Sequence, residues 1–333
     1  MKLIFLCPPI KKAVGGVKVI YRQAELANHL LQPLGHSAVV MHPNTWRFRV
    51  KWFETDVPVE RRWFHWRWVG KPSLSGIDGC FDPQQELVVV PELWARKFGD
   101  QLAHMGVPFA IYVQNGYYIS KGDPSVLNAA YAGARCILTV SEDATRCVSM
   151  AFPEAQHKVM RIHCFVDAER FNPVQPKENL ITYMPRKLAD HSSKVLFFLR
   201  NHLPTHWRIQ AIDGLSETGV ADLLQRSKIF MSFSHFEGLG LPPIEAALSG
   251  NHVVGYTGQG GQEYWAPKAF LRIECGDVVG FAQSVLEKIR DLEANPSLQH
   301  QPDVIDRLKQ RFSQQQELID LQAFLTTMGM APH

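Results

Sequence analysis

Residues 229–263, IFMSFSHFEGLGLPPIEAALSGNHVVGYTGQGGQE, constrain the fold of this chain more than any other stretch. The apolar run 229–233 has the length and unbroken hydrophobicity of a strand buried on both faces, which belongs in a parallel sheet. Whatever follows such a strand emerges at the carboxyl edge of the sheet, where open α/β sheets bind their ligands. Glu237 is delivered there. Gly238, Leu239 and Gly240 then let backbone approach a ligand closely. Pro242 and Pro243 suit the first turn of a helix that carries Glu245 and runs to Leu248, and Gly250 ends it. Residues 252–256 read as the next strand, a second glycine-rich loop runs through 258–261, and Glu263 follows it. Two glycine loops and three carboxylates are therefore expected at one sheet edge of an α/β protein.

Those residue types suit one kind of ligand. Amides freed by glycine at a helix N-terminus attract phosphate. A carboxylate set back inside the same helix, here Glu245, is placed to accept hydrogen bonds from sugar hydroxyls. Phosphate beside hydroxyls describes a nucleotide sugar.

The string Glu237-Gly-Leu-Gly-Leu-Pro-Pro-Ile-Glu245, with Gly250, Val253-Val254 and Gly260-Gly261-Gln-Glu263 behind it, resembles the retaining glycosyltransferases of family 4. It matches their E-x7-E signature at both ends. The resemblance implies the GT-B fold, two Rossmann-like α/β domains facing a central cleft. It assigns Glu237 to the donor sugar and Glu245 to the ribose of the nucleotide, with Gly238, Leu239, Gly240 and Leu241 beside the donor. It further implies transfer of a sugar with retention of anomeric configuration, the acceptor attacking from the face that the leaving group departs.

At 333 residues the chain is long for one domain and comfortable for two. Hydrophobic residues at 46% and charged residues at 20% are those of a soluble globular protein, and a net charge of +3 gives no reason to expect nucleic acid. The six cysteines include no C-x-x-C pair, which fits buried thiols in a reducing compartment. The N-terminal apolar run is too short for a signal peptide, and no stretch approaches 18 apolar residues. These features point to a cytoplasmic protein.

From the N-terminus, residues 2–7 read as a strand, a loop from Pro8-Pro9 reaches Gly15 and Gly16, and Val17, Ile20, Tyr21, Ala24, Ala27 and Leu31 then recur at helical spacing. A glycine pair at this point resembles the one that opens the family's N-terminal domain towards the donor. After a second strand at 37–42, Trp46, Trp52, Phe53, Trp63, Phe64, Trp66 and Trp68 alternate with Arg47, Arg49, Lys51, Arg61, Arg62 and Arg67. Rings with basic neighbours suit sugar stacking, anionic headgroups or single-stranded nucleic acid. By analogy with GT-B enzymes, this stretch, with Trp63 and Trp66, is expected to serve a glycan or lipid-linked acceptor and to allow peripheral contact with the inner face of a membrane. A core reading of the same aromatics stays open.

Runs at 87–90, 109–113, 136–140 and 158–163 continue a strand and helix alternation. Gln114-Asn115-Gly116 stands near where the family places a histidine over the donor sugar; either amide makes a hydrogen bond there, neither acts as a base, and Gln114 and Asn115 are assigned with Trp63 and Trp66 to the acceptor side. Ser141 resembles the family's strand-end serine. Residues 165–173 resemble the interdomain crossing, which sets the domains at 1–166 and 177–312, with 313–333 as a final helix crossing back.

The second domain opens with a strand at 180–184 whose end presents Arg186 and Lys187, cations suited to a diphosphate leaving group. Lys194 is the alternative to Lys187. Runs at 195–199 and 209–212 are expected to continue the sheet, and Gly214-Leu215 sits where the family's backbone meets the nucleobase. Helices are expected at 281–292 and 304–326. Pro204 breaks the i, i+4 pair His202 and His206, and the chain has no D-x-D, so neither a metal nor any other cofactor is expected. The reading is a metal-independent, hexosyltransferase-like enzyme that moves a sugar from a nucleotide diphosphate to a glycan or lipid-linked acceptor, as in bacterial surface polysaccharide or glycoconjugate synthesis. A sugar-nucleotide epimerase of the same fold, or a silent sugar-nucleotide-binding protein, is the alternative.

Overall fold

A computed structural model describes residues 1–12, 14–45, 48–64, 76–77, 79–299 and 301–331. Trp46, Arg47, Trp66, Arg67 and Trp68 lie outside the described residues. The chain divides into two compact units, Met1–Cys164 with Glu317–His333, and Phe165–Gln316.

Among the described residues the first unit is built on seven parallel strands, β1 (Lys2–Leu6), β2 (Ser37–Met41), β3 (Val59–Glu60), β4 (Glu86–Pro91), β5 (Phe109–Val113), β6 (Cys136–Thr139) and β7 (Val159–Arg161), in the order β3-β2-β1-β4-β5-β6-β7. Helices cover the sheet, as parallel connections require. Helix α1 (Gly15–Leu31) follows β1 and buries Val17, Ile20, Tyr21, Ala24, Ala27 and Leu31, the residues its spacing singles out. Helices α2 (Pro124–Gly133) and α3 (Glu142–Ala151) start on side-chain caps from Asp123 and Ser141, whose oxygens satisfy orphan amides. Every residue of β4 and β5 is buried, the condition that lets these strands read as continuous apolar runs.

The second unit holds β8 (Leu180–Tyr183), β9 (Arg208–Ala211), β10 (Ile229–Glu237), β11 (His252–Gln259) and β12 (Phe270–Arg272), all parallel, in the order β12-β11-β10-β8-β9. Its helices are α4 (Ala189–Leu199), α5 (Glu217–Arg226), α6 (Leu241–Leu248), α7 (Val278–Ala294) and α8 (Pro302–Arg311). The chain ends in α9 (Gln314–Thr327). Within the first unit, Glu317 on α9 takes an ion pair from Arg22 at 3.0 Å and an amide hydrogen bond from Gln23 at 3.1 Å.

Three elements differ from the sequence reading. Residues 195–199 are the last turns of α4, not a strand: Val195 and Leu199, one turn apart, are buried while Phe197 and Phe198 are exposed. A short apolar run does not separate buried strand from helix, and here the i, i+4 pair carries the information. The stretch 304–326 is two helices, broken between Arg311 and Gln314. Strand β11 runs on to Gln259, so half of the second glycine loop is strand and only Gly260–Glu263 forms a tight turn.

Candidate functional site

In each unit the winding reverses beside the first strand, with β1 flanked by β2 and β4, and β8 flanked by β9 and β10. A crevice opens outside the carboxyl ends of the strands at such a point. In the second unit the two strands at the reversal are those that carry Arg186-Lys187 and Glu237. Strand β10 pairs directly with β8, and the Lys187 ammonium lies 2.6 Å from Glu237 Oε1, with both side chains partly exposed. Arg186 is exposed and has no hydrogen bond or ion pair among the described residues. Lys194 sits on the outer face of α4, paired with Asp190 one turn away, so Lys187 is the lysine at the strand end.

The backbone around this pair is forced. The β10 to β11 register shifts between Ser234 and Glu237, a bulge that re-aims the end of the strand. Phe236 (φ 47°), Leu188 (φ 45°) and Gln259 (φ 68°) are non-glycine residues in left-handed or related conformations, each adjoining this edge. Asn44 is the fourth such residue described. Each conformation costs of the order of 1 kcal/mol or more, and such strain collects at ligand sites. The Phe236 amide donates to Gln259 Oε1 at 2.9 Å, which ties two of the three together.

Gly238 and Leu239 are buried, and Gly240 (φ 80°, ψ 74°) turns the chain into α6. A Cβ on Gly260 would lie 2.0 Å from the carbonyl oxygen of Gly238, so the two glycine loops touch backbone to backbone. Glu245, in the second turn of α6, is partly buried. Tyr264 stands among the carboxylates. Its hydroxyl donates to the Gly240 carbonyl at 2.6 Å; burial first, then the charges of Glu263, Glu237 and Glu245, push its pKa well above the ordinary value. Glu263 itself is enclosed, with Arg311 bonding its backbone carbonyl at 2.9 Å and its carboxylate at 3.1 Å. It is held by protein and is not free for a ligand. Gly214 (φ 65°) and Leu215 form an exposed turn between β9 and α5.

At the reversal point of the first unit, Gly15 and Gly16 open α1, and the Gln114 amide donates to the Gly16 carbonyl at 3.0 Å. A Cβ on Gly16 would meet the Gln114 side chain at 2.6 Å. Asn115 is buried and accepts from the Tyr117 amide at 2.9 Å, and Ser141 accepts from the Ala144 amide. These polar groups are thus engaged with neighbouring backbone. The aromatic and basic stretch splits in two. Phe64 is core against Phe81 and Phe98, Phe53 stands edge-on to Tyr21, and Arg62 pairs with Glu86 and Glu60. Trp63 is 49% exposed.

Sequence reading missed three groups. Glu92, buried after β4, accepts the amides of Gln114 and Asn115, and burial raises its pKa to about 7. His42 is buried between the Tyr21 hydroxyl at 2.6 Å and the Cys7 carbonyl at 2.8 Å, and burial lowers its pKa to about 4. The third is Tyr264. No local signal marks any of them, since their partners are 21 to 35 positions away.

Among solved structures, Anabaena HepE in complex with UDP-glucose superposes with a TM-score of 0.73 at 14% identity, covering 98% of this chain and 100% of that one. The fold is GT-B. Sucrose-phosphate synthase from Thermosynechococcus elongatus shares that GT-B fold at a TM-score of 0.71 and 13% identity over 99% of this chain and 100% of its own. A Rickettsia africae glycosyltransferase does so at 0.60 and 13%, over 98% of each chain. In sequence, 98 residues are 33% identical to an alpha-1,6-glucosyltransferase of Actinobacillus pleuropneumoniae, a match spanning 27% of this chain and 29% of that protein. No family model matches the chain. Among the described residues, no helix is long and apolar enough to cross a membrane.

Proposed function

We propose that the chain is a retaining glycosyltransferase of the family 4 type, which takes a sugar from a nucleotide diphosphate and passes it to a glycan or lipid-linked acceptor. The observation that carries this reading is the Lys187–Glu237 pair at the reversal point of the second sheet, ahead of a glycine turn and the helix that bears Glu245. Arg186 and Lys187 would neutralise the diphosphate as it leaves. When Lys187 turns to phosphate, Glu237 is released beside the anomeric carbon, where positive charge develops. Glu245 would hold the ribose. With cations supplied by the protein, activity is expected without a divalent metal. Trp63 offers an exposed ring for the acceptor or a lipid surface. Because HepE, similar in fold, binds UDP-glucose, that sugar nucleotide is the first donor to try.

The test is a thermal-shift panel of UDP, GDP and dTDP, followed by turnover of the matching sugar donors in the presence of EDTA. A nucleotide at 100 times its Kd stabilises by about 2.7 kcal/mol, which such a panel resolves. No shift with any of them sinks the donor reading. Loss of turnover in EDTA, restored by Mn²⁺ or Mg²⁺, sinks the metal-independent mechanism, and interconversion of sugar nucleotides without acceptor makes the protein an epimerase.

A further inference from the structure

We infer that Tyr264 is a positioning residue for the donor's phosphates, acting through the peptide bond between Gly240 and Leu241; this rests on the donor reading above. The start of α6 is unusual. A helix leaves its first amides without intrahelical partners, and these make its N-terminus an anion site. Here positions 242 and 243 are both proline and carry no N–H, so the amides left at the helix start are those of Gly240 and Leu241. The helix keeps its geometry and loses half of its donors.

Tyr264 acts on one of the two that remain. Its hydroxyl donates to the Gly240 carbonyl at 2.6 Å. That carbonyl and the Leu241 N–H belong to one planar trans peptide and point in opposite directions. Pinning the oxygen towards Tyr264 therefore presents the hydrogen on the side away from it. A second effect is electronic, because a hydrogen bond to the carbonyl polarises the amide and strengthens the donor at its other end.

Everything around the ring serves to fix it. Tyr264 is 5% exposed and packs against Trp265, Phe270 and Phe312. A Cβ on Gly240 would meet its hydroxyl at 3.2 Å and one on Gly261 at 3.0 Å, so both glycines leave room for the phenol. The Arg311–Glu263 pair clamps the preceding residue. Burial first, and after it the charges of Glu263, Glu237 and Glu245, keep the phenol protonated and hence a donor.

Tyr264→Phe removes one oxygen and leaves the packing. Calorimetry with the diphosphate that binds wild-type protein and with its nucleoside is expected to show a five- to tenfold loss for the diphosphate, about the worth of one hydrogen bond, and none for the nucleoside. Leu241→Pro, at a first-turn position that tolerates proline, deletes the amide itself. If Tyr264 works through that amide, the double variant loses no more than Leu241→Pro alone. Equal losses for diphosphate and nucleoside make Tyr264 merely structural and overturn the inference, as do full additivity or an unchanged diphosphate affinity. Wild-type protein that binds no nucleotide overturns the donor reading itself, a result distinct from any of these.

Discussion

The two reversal points share a topology and differ in what their polar groups do. In the first unit they are spent on one another: Gln114 holds the Gly16 carbonyl, Glu92 takes the amides of the next loop, and His42 is sealed between Tyr21 and Cys7. In the second, Arg186 is exposed, Lys187 and Glu237 meet only in a partly exposed pair, and three non-glycine residues with positive φ adjoin them. The fold fixes where a ligand would sit in either unit. Which edge does polar chemistry depends on which groups the protein has left unsatisfied, and on where it holds strain that a ligand could make worthwhile.

The sharpest way to break the comparison is to neutralise Glu237. Glu237→Gln keeps the shape and removes the charge that would face the developing cation, so kcat should fall by about 10²- to 10³-fold, with affinity for sugar-free nucleotide nearly unchanged. Steady-state kinetics beside calorimetry reads both; a variant with wild-type kcat would place the chemistry elsewhere.

Next in size is a titration in the other unit. The Glu92 pKa is raised from 4.5 to about 7, so between those values the folded protein keeps a proton that the unfolded chain has lost. Its contribution is fully present below pH 4.5 and is lost as pH rises through about 7. The total is at most about 3 kcal/mol. Chemical denaturation of wild type and Glu92→Gln across this window should show the wild type losing ground with rising pH. A constant gap would mean that Glu92 is ionised throughout.

Arg186→Ala should weaken the nucleotide diphosphate by about 1.5 to 3 kcal/mol, the worth of a charge-assisted hydrogen bond, and leave the nucleoside alone. Equal losses for both would remove Arg186 from the phosphates. The smallest effect is expected at Trp63, whose exposed ring gives Trp63→Ala a stability change within about 0.5 kcal/mol. Its mark should be a raised acceptor KM or weaker vesicle binding. A large drop in melting temperature would return Trp63 to the core.

The second unit was legible because its signals are local. Apolar runs mark β8 and β10, prolines mark the helix start, and the glutamates sit at fixed spacing within one loop and helix. The strand end at Arg186 and Lys187 could be read for the same reason, although only the pairing of β8 with β10 distinguishes Lys187 from Lys194. What stayed hidden depends on contacts between distant segments. Tyr264 looks like any residue after a glycine turn until its hydroxyl is found on Gly240, and Glu92 looks like a surface helix residue until it is buried. Composition left one stretch undecided, where arginines near tryptophans fitted either a binding surface or core aromatics with solvated arginines. Arg62 and Phe64, two positions apart, instead serve an ion pair and the core.

Arg186 stands in the open, and an open charge can be screened. The screening length is about 8 Å at physiological ionic strength and about 3 Å at 1 M. A phosphate held largely by such a cation would be released progressively as salt rises, whereas a phosphate held by oriented backbone dipoles would not. Two prolines thin the amides of α6, so a phosphate bound beside it would depend more on the screened kind. Under the donor reading proposed above, affinity for an anion should therefore follow the surrounding salt more steeply than at a helix start with its full set of amides.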